Sequence, residues 1–402
     1  MSRLLLSHAE DSLPPVAAAS AHAMTALLAG SCTLVAAGGY FAQPLARLIG
    51  QDLQLRSWAF GLIVTLGQLG YVAGLLLVAP LGDRMEARSL LVRTLAASAV
   101  ALGVAALSRQ GGVFLAACFG IGVAATAVQM LVSVAAITAV PKHRGRAIGV
   151  VTSGLLTGML LAWPVAILIH AHWGWRAIFG GDAAVVATLA LLLRFSLPVH
   201  RPASPRGYVE LLRSLYTLVC SEPELRYRAS MQAFLFGAFS LFWTAVPSIL
   251  AHRFDLGPSA LAAFGAVGAG AAFAAPLAGR AADRGLGRRA SAVCIAAVGA
   301  AFAMAAICGA HGIAVWALAG AAIGAGVQGS HVISQRAVLS ISVQTASRLN
   351  SLYVATFIVG GACGSAAAMT LLALGGDLAV TLAGVALALG AGTLWRCRGH
   401  RF

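Results

Sequence analysis

Acidic side chains are scarce in this chain. Of 402 residues only 12 are Asp or Glu, and charged residues of either sign make up 10%. A soluble domain carries about 25% charge, so an ordinary water-soluble enzyme or scaffold is excluded. Metal and redox signatures are lacking as well. The 7 cysteines are scattered through apolar runs without a single CxxC, which argues against a zinc site or a disulfide framework. Each reads as a small buried apolar side chain. No run holds MxxxM or HxxxM, and neither HExxH, GxSxG nor a phosphate-binding P-loop occurs. No enzyme, metal or cofactor is therefore expected. The first twenty residues contain Glu10, Asp11, Pro14 and Pro15 and no continuous apolar core, so no cleaved leader is expected.

What the chain has in quantity is hydrocarbon. Hydrophobic residues reach 60% and the mean hydropathy is +0.89. A helix needs about 20 apolar residues to cross a bilayer. Twelve such runs can be placed, at 23–45, 58–81, 90–107, 112–140, 147–170, 176–197, 228–251, 258–279, 290–310, 313–339, 349–374 and 378–395. They are numbered spans 1 to 12 below. With the N-terminus inside, 22 of the 27 basic residues fall on the inner loops and helix ends, leaving Arg47, Arg56, Arg109, Arg176 and Arg253 outside. That bias puts both termini in the cytoplasm and requires an even number of spans. The formal charge of +15 is thus a topology signal, since no basic run is long enough to follow a nucleic-acid groove.

The two halves repeat one another. Pro80-Leu81-Gly82-Asp83-Arg84-Met85-Glu86-Ala87-Arg88 follows span 2, and Gly279-Arg280-Ala281-Ala282-Asp283-Arg284-Gly285-Leu286-Gly287-Arg288-Arg289 follows span 8. Asp83 and Asp283 lie 200 residues apart, while Arg146 and Arg348, Gly158 and Gly360, and Gln129 and His331 are each separated by 202. Tyr40-x3-Pro44 finds its counterpart in Trp243-x3-Pro247 at 203. Offsets this constant predict an all-α integral membrane protein of twelve helices in two pseudo-symmetric six-helix bundles. The expected division is an inner segment 1–22, a bundle 23–197, a linker 198–227, a second bundle 228–395 and a tail 396–402. In the linker, Tyr208, Leu211, Leu212, Leu215, Leu218 and Val219 share one helical face. This suits a helix lying on the inner membrane surface, with a regulatory docking site as the alternative.

The duplicated loop is similar to G-x-x-x-D-R-x-G-R-R, and with it the chain resembles the major facilitator superfamily over nearly its whole length. The second copy supplies Gly279, Asp283, Arg284, Gly287, Arg288 and Arg289, with one extra residue between Arg284 and Gly287. The first departs further, with Ala79, Glu86 and Ala87 where two glycines and an arginine are expected. Pro141-x2-Arg144-Gly145-Arg146 and Gly174-Trp175-Arg176-Ala177-Ile178-Phe179 extend the likeness, and Tyr40-Phe41-Ala42-Gln43-Pro44-Leu45 suggests its bacterial drug- and sugar-efflux permeases. The resemblance implies a central cavity lined by spans 1, 4, 7 and 10, with Gln129 facing His331, and a place in the bacterial inner membrane. It also implies that Asp83 addresses the start of span 11 and Asp283 that of span 5, where a helix N-terminus attracts a carboxylate. With Arg84, Arg88, Arg284, Arg288 and Arg289 these would latch the inner mouth; simple positive-inside anchoring is the alternative. Gly70-x3-Gly74, Gly154-x3-Gly158, Gly320-x3-Gly324 and Gly360-x3-Gly364 mark faces for close helix packing.

Polar groups inside spans are costly and therefore candidates for function. Solute contact is expected from Tyr40, Gln43, Gln129, Gln232, Trp243, His331, Gln335 and Tyr353, with Gln68, Tyr71, Ser133, Thr244 and Gln328 beside them. For each, an interhelical hydrogen bond is the plainer role. Proton coupling falls to His331, whose imidazole titrates near neutrality, or to Asp182, the one acidic residue expected within a span. Superfamily exporters of cationic drugs often keep a carboxylate deep in span 1 or span 4; none is present in either. A small neutral or amphiphilic solute, exported in exchange for protons by a monomer in membrane lipid, is the leading expectation. A facilitator or importer, or a non-transporting sensor on the same scaffold, are the alternatives.

Overall fold

The computed structural model describes residues 15–138, 144–198, 207–267, 277–278, 280–281, 284–309, 312–342 and 345–398. All the regular structure among them is helical. Ten stretches are long and apolar enough to cross a bilayer. One of these, Arg348–Cys397, folds over at Gly375–Gly376 and so supplies two crossings. A further helix starts the eighth run at Pro258.

The first half contains α1 (Pro15–Gly38), α2 (Ala42–Asp52), α3 (Phe60–Ala73), α4 (Ala87–Leu107), α5 (Gly111–Ala124), α6 (Ala127–Thr138), α7 (Arg144–Trp173) and α8 (Trp175–Ser196). A linker helix α9 (Tyr208–Ser221) leads to α10 (Pro223–Phe254), α11 (Pro258–Val267), α12 (Gly287–Cys308), α13 (Ile313–Leu339) and α14 (Ala346–Arg398). Span 1 is therefore two helices. Its apolar run was expected to end at 45, but α2 carries it on to Asp52 after a turn at Gly39-Tyr40-Phe41. In that turn Gly39 and Tyr40 donate to the carbonyls of Ala36 and Ala37, an i→i−3 pattern that tightens the backbone. Span 4 is divided in the same way between α5 and α6. Span 2 passes from α3 through a π turn at Gly74–Val78 into a 3₁₀ turn at Ala79–Asp83.

Packing repeats between the halves as the offsets predict. Gly158 on α7 lies against the backbone of Thr33 on α1, where a Cβ would collide with the Thr33 carbonyl. Gly360 on α14 lies in the same way against the backbone of Ala233 on α10. Close backbone contact of this kind drives helix association in lipid, where no hydrophobic effect separates the helices from the tails. Around these seams the core is aliphatic and aromatic, with Leu28, Ile49, Phe114, Phe242, Phe302 and Trp316 fully buried.

Side-chain hydrogen bonds join the two halves directly. Arg47 on α2 bonds His252 on α10, and Thr65 and Gln68 on α3 bond residues of α14 and α10. Near the Arg84 loop the connection instead runs through α9. Tyr208 donates to the Leu77 carbonyl of the first half (2.9 Å), and Ser214 accepts from Arg348 of the second (3.0 Å).

Candidate functional site

A cavity opens beside the break in span 1. Gly38, Gly39, Tyr40 and Gln43 form one wall, Gln68 and Tyr71 of α3 another, and span 4 a third through Cys118, Ile121 and Val128, with Phe179 and the second half's Ile358 also on the lining. The site exists because the chain unwinds there. Gly38 and Gly39 carry no side chain to plug the gap, and the turn swings Tyr40 and Gln43 toward α3. Every lining residue is uncharged, and the polar ones offer phenol hydroxyls and carboxamides. Such groups orient a neutral solute by hydrogen bonds within a largely apolar enclosure.

Gln129 stands behind this wall, its Nε2 donating to the Tyr71 hydroxyl at 3.2 Å. Ser133 donates to the Gln129 carbonyl. His331 has different company. The Tyr353 hydroxyl lies 3.2 Å from its Nδ1 and 3.3 Å from its backbone oxygen, the two rings stack at 5.6 Å, and Phe357 meets the imidazole edge-on at 5.2 Å. Gln129 and His331 are thus each bonded inside their own half. Each has a tyrosine of its own half as its partner.

The other candidates divide similarly. Gln335 donates to Asn350 at 2.9 Å, and Gln232 to the Val327 carbonyl at 3.2 Å, leaving its own Oε1 without a partner. Trp243 is buried between the halves, edge-on to Trp163 of α7 at 5.3 Å and tilted against Phe264 of α11 at 6.0 Å. It packs the seam between them.

Asp182 is buried on α8, with Oδ2 pressed against Gly38 and without a hydrogen-bond partner. Its neighbour one turn and a half earlier, Arg176, is engaged elsewhere. That guanidinium pairs with Asp52 at 2.7 Å, donates to the Ser108 carbonyl at 3.2 Å and lies over the Trp175 ring. The carboxylate therefore touches the back of the cavity wall through one glycine. No group of residues able to hold a metal ion occurs among the described residues.

Of the loop residues, the side chains of Asp83 and Asp283 lie outside the described residues. Arg84, Arg284 and Arg289 are exposed. Arg88 pairs with Glu86 at 3.1 Å and reaches the Leu197 carbonyl, and Arg288 lies over the Trp395 ring at 5.1 Å. Thr65, Trp163, Ser240 and Ser365, which bind the halves together, escaped the sequence reading. Only the 202-residue spacing of Trp163 and Ser365 could have pointed to two of them.

The chain is similar to known transporters along its length. The family model for the Major Facilitator Superfamily matches residues 28–225. The Escherichia coli O157:H7 protein named "Uncharacterized transporter YgaY" is 32% identical over 381 residues, 94% of this chain and 96% of that protein. "Probable transporter SCO4007" of Streptomyces coelicolor is 32% identical over 359 residues, 87% of this chain and 81% of that protein. A bacterial homologue of the human lysosomal transporter Spinster, in an inward-facing and occupied conformation, superposes with a TM-score of 0.73 at 16% identity, covering 97% of this chain and 98% of that one. The nucleoside transporter NupG gives 0.71 at 13% identity, covering 93% and 98%.

Proposed function

The chain belongs to the Major Facilitator Superfamily and is a multi-pass membrane transporter, and from that premise we propose that it exports a small neutral or amphiphilic solute by alternating access. The observation that carries this reading is the uncharged cavity beside the broken span 1. Tyr40, Gln43, Gln68 and Tyr71 supply donors and acceptors there, and no lining residue could neutralise an ion. A charged solute entering such a site would lose its hydration without gaining a counter-charge. The preponderance of arginine on one set of loops supports an orientation with both termini in the cytoplasm of a bacterial inner membrane.

Coupling to protons is placed on Asp182 rather than His331. The imidazole of His331 is occupied by Tyr353, whereas Asp182 keeps an oxygen without a partner one glycine away from the cavity. A buried carboxylate within a membrane is expensive to ionise alone, so gain and loss of a proton there can be tied to the movement of span 1. The test is uptake into energised inside-out vesicles over a panel of neutral polar, amphiphilic, cationic and anionic solutes. Accumulation restricted to uncharged members supports export of this class. Accumulation of ions, or uptake only in right-side-out vesicles, refutes it.

A further inference from the structure

The two seams that join the halves occupy related places in the internal repeat, yet their chemistry is opposite. Ser365 on α14 and Trp163 on α7 are separated by the same 202 residues as Gly158 and Gly360. At Ser365 the seam is polar. Its hydroxyl lies 3.1 Å from that of Thr65, and Thr65 also reaches the Ala362 carbonyl at 3.3 Å. Beside them Gln68 donates to the Ser240 hydroxyl at 3.1 Å, and Ser365 is 3.5 Å from the Gln68 Oε1. Gly61 lets α3 sit directly on the Ser365 backbone, where a Cβ would not fit. At Trp163 the seam is a dry aromatic contact with Trp243 and Phe264, with Gly265 beneath the indole.

We propose that the Gln68–Ser240 and Thr65–Ser365 hydrogen bonds form the lock of a second gate, distinct from the charged loops and on the side of the molecule that carries Arg47. Three observations carry this. Each bond crosses from the first half to the second, so none survives separation of the halves there. Thr65, Ser240 and Ser365 are almost wholly buried, so their hydroxyls have no water to fall back on in this arrangement. Gln68 also lines the cavity, which places the lock in contact with the space a solute occupies. When the halves part, water replaces each lost hydrogen bond on the polar seam.

The population of each arrangement is read by pulsed electron–electron distance measurement in lipid nanodiscs without solute. Spin labels are placed on Leu48→Cys and Leu378→Cys, with exposed Cys220, Cys363 and Cys397 changed to serine. Ser240→Ala and Gln68→Leu are each expected to raise the ratio of separated to closed halves by about three- to tenfold, the effect of one lost hydrogen bond. Adding Ser240→Ala to Gln68→Leu should change little further, because Gln68→Leu already removes the bond that Ser240 accepts. Ser365→Ala, the mildest change, should move the distribution in the same direction. Thr94→Val is the control, since it deletes a buried hydroxyl bonded only within its own helix, to the Leu90 carbonyl. Unchanged distances in Ser240→Ala and Ser365→Ala, strictly multiplicative effects in the double variant, or an equal shift in Thr94→Val would each overturn the lock. The measurement needs no solute, so a failed solute panel and a failed lock are separate outcomes.

Discussion

Asp182 shows how a single side chain acquires meaning from one neighbour. The same carboxylate facing Arg176 would be a structural ion pair, but Arg176 is held by Asp52, which also accepts from the Trp175 indole. Pressed on Gly38 instead, it sits where the α1 segment ends and the cavity begins. Asp182→Asn keeps the shape and removes the proton exchange. It is expected to abolish the response of transport to an imposed pH gradient while downhill exchange continues. His331→Gln, by contrast, is expected to keep that response, because the imidazole serves the Tyr353 stack. Both are checked by transport in reconstituted vesicles with and without the gradient. A pH response surviving in Asp182→Asn, or lost in His331→Gln, reverses the assignment.

Helices in this protein are positioned by what their seams leave out. Gly158 and Gly360 admit backbone-to-backbone contact that any larger residue would force apart. Gly158→Leu and Gly360→Leu should each destabilise the fold by about 1–3 kcal/mol, the usual cost of overpacking a close contact. Gly30→Ala, on the same α1 that receives Gly158, meets no atom within 4 Å and should be silent. Thermal unfolding in detergent, followed by circular dichroism, distinguishes these outcomes. Equal melting of all three variants would show that the glycines fill space without setting it. Broken elements matter as much as tight ones: the break in span 1 supplies Gly38, Gly39, Tyr40, Ala42 and Gln43 to the cavity wall.

At the scale of the whole molecule, the described links between halves include hydrogen bonds on the Arg47 side, the Trp163–Trp243 seam and the α9 bridge near the Arg84 loop. A transporter working by alternating access exchanges such sets of contacts. The loop carboxylates are expected to act on that exchange rather than on the solute. Asp83→Asn and Asp283→Asn each remove a helix-end interaction worth about 0.3–1 kcal/mol, rising to about 2 when partly buried. Transport should fall several-fold while equilibrium solute affinity stays within a few-fold, measured by vesicle flux beside direct binding. Normal flux in both variants excludes a latch. Orientation has its own test: a reporter fused after Arg401 should be active only in the cytoplasm. Activity on the outer face would invert every assignment of direction.

Hydropathy, charge placement and the 200- to 203-residue offsets were enough to establish a helical membrane transporter of duplicated design. These depend on solvent and period, which a linear chain displays directly. The cavity was legible in part, since Tyr40 and Gln43 announce themselves as polar residues in an apolar run. Their joining with Gln68 and Tyr71 was less so, because it depends on how the turn at Gly39 swings one helix toward another. Partner choice was beyond the sequence altogether. Gln129 and His331 are repeat mates, yet Tyr71 takes one and Tyr353 the other, because hydrogen bonds are satisfied by distance and not by symmetry. The unlike chemistry of the Ser365 and Trp163 seams emerges only when the halves are packed together, since neither residue is unusual until its partner across the interface is known.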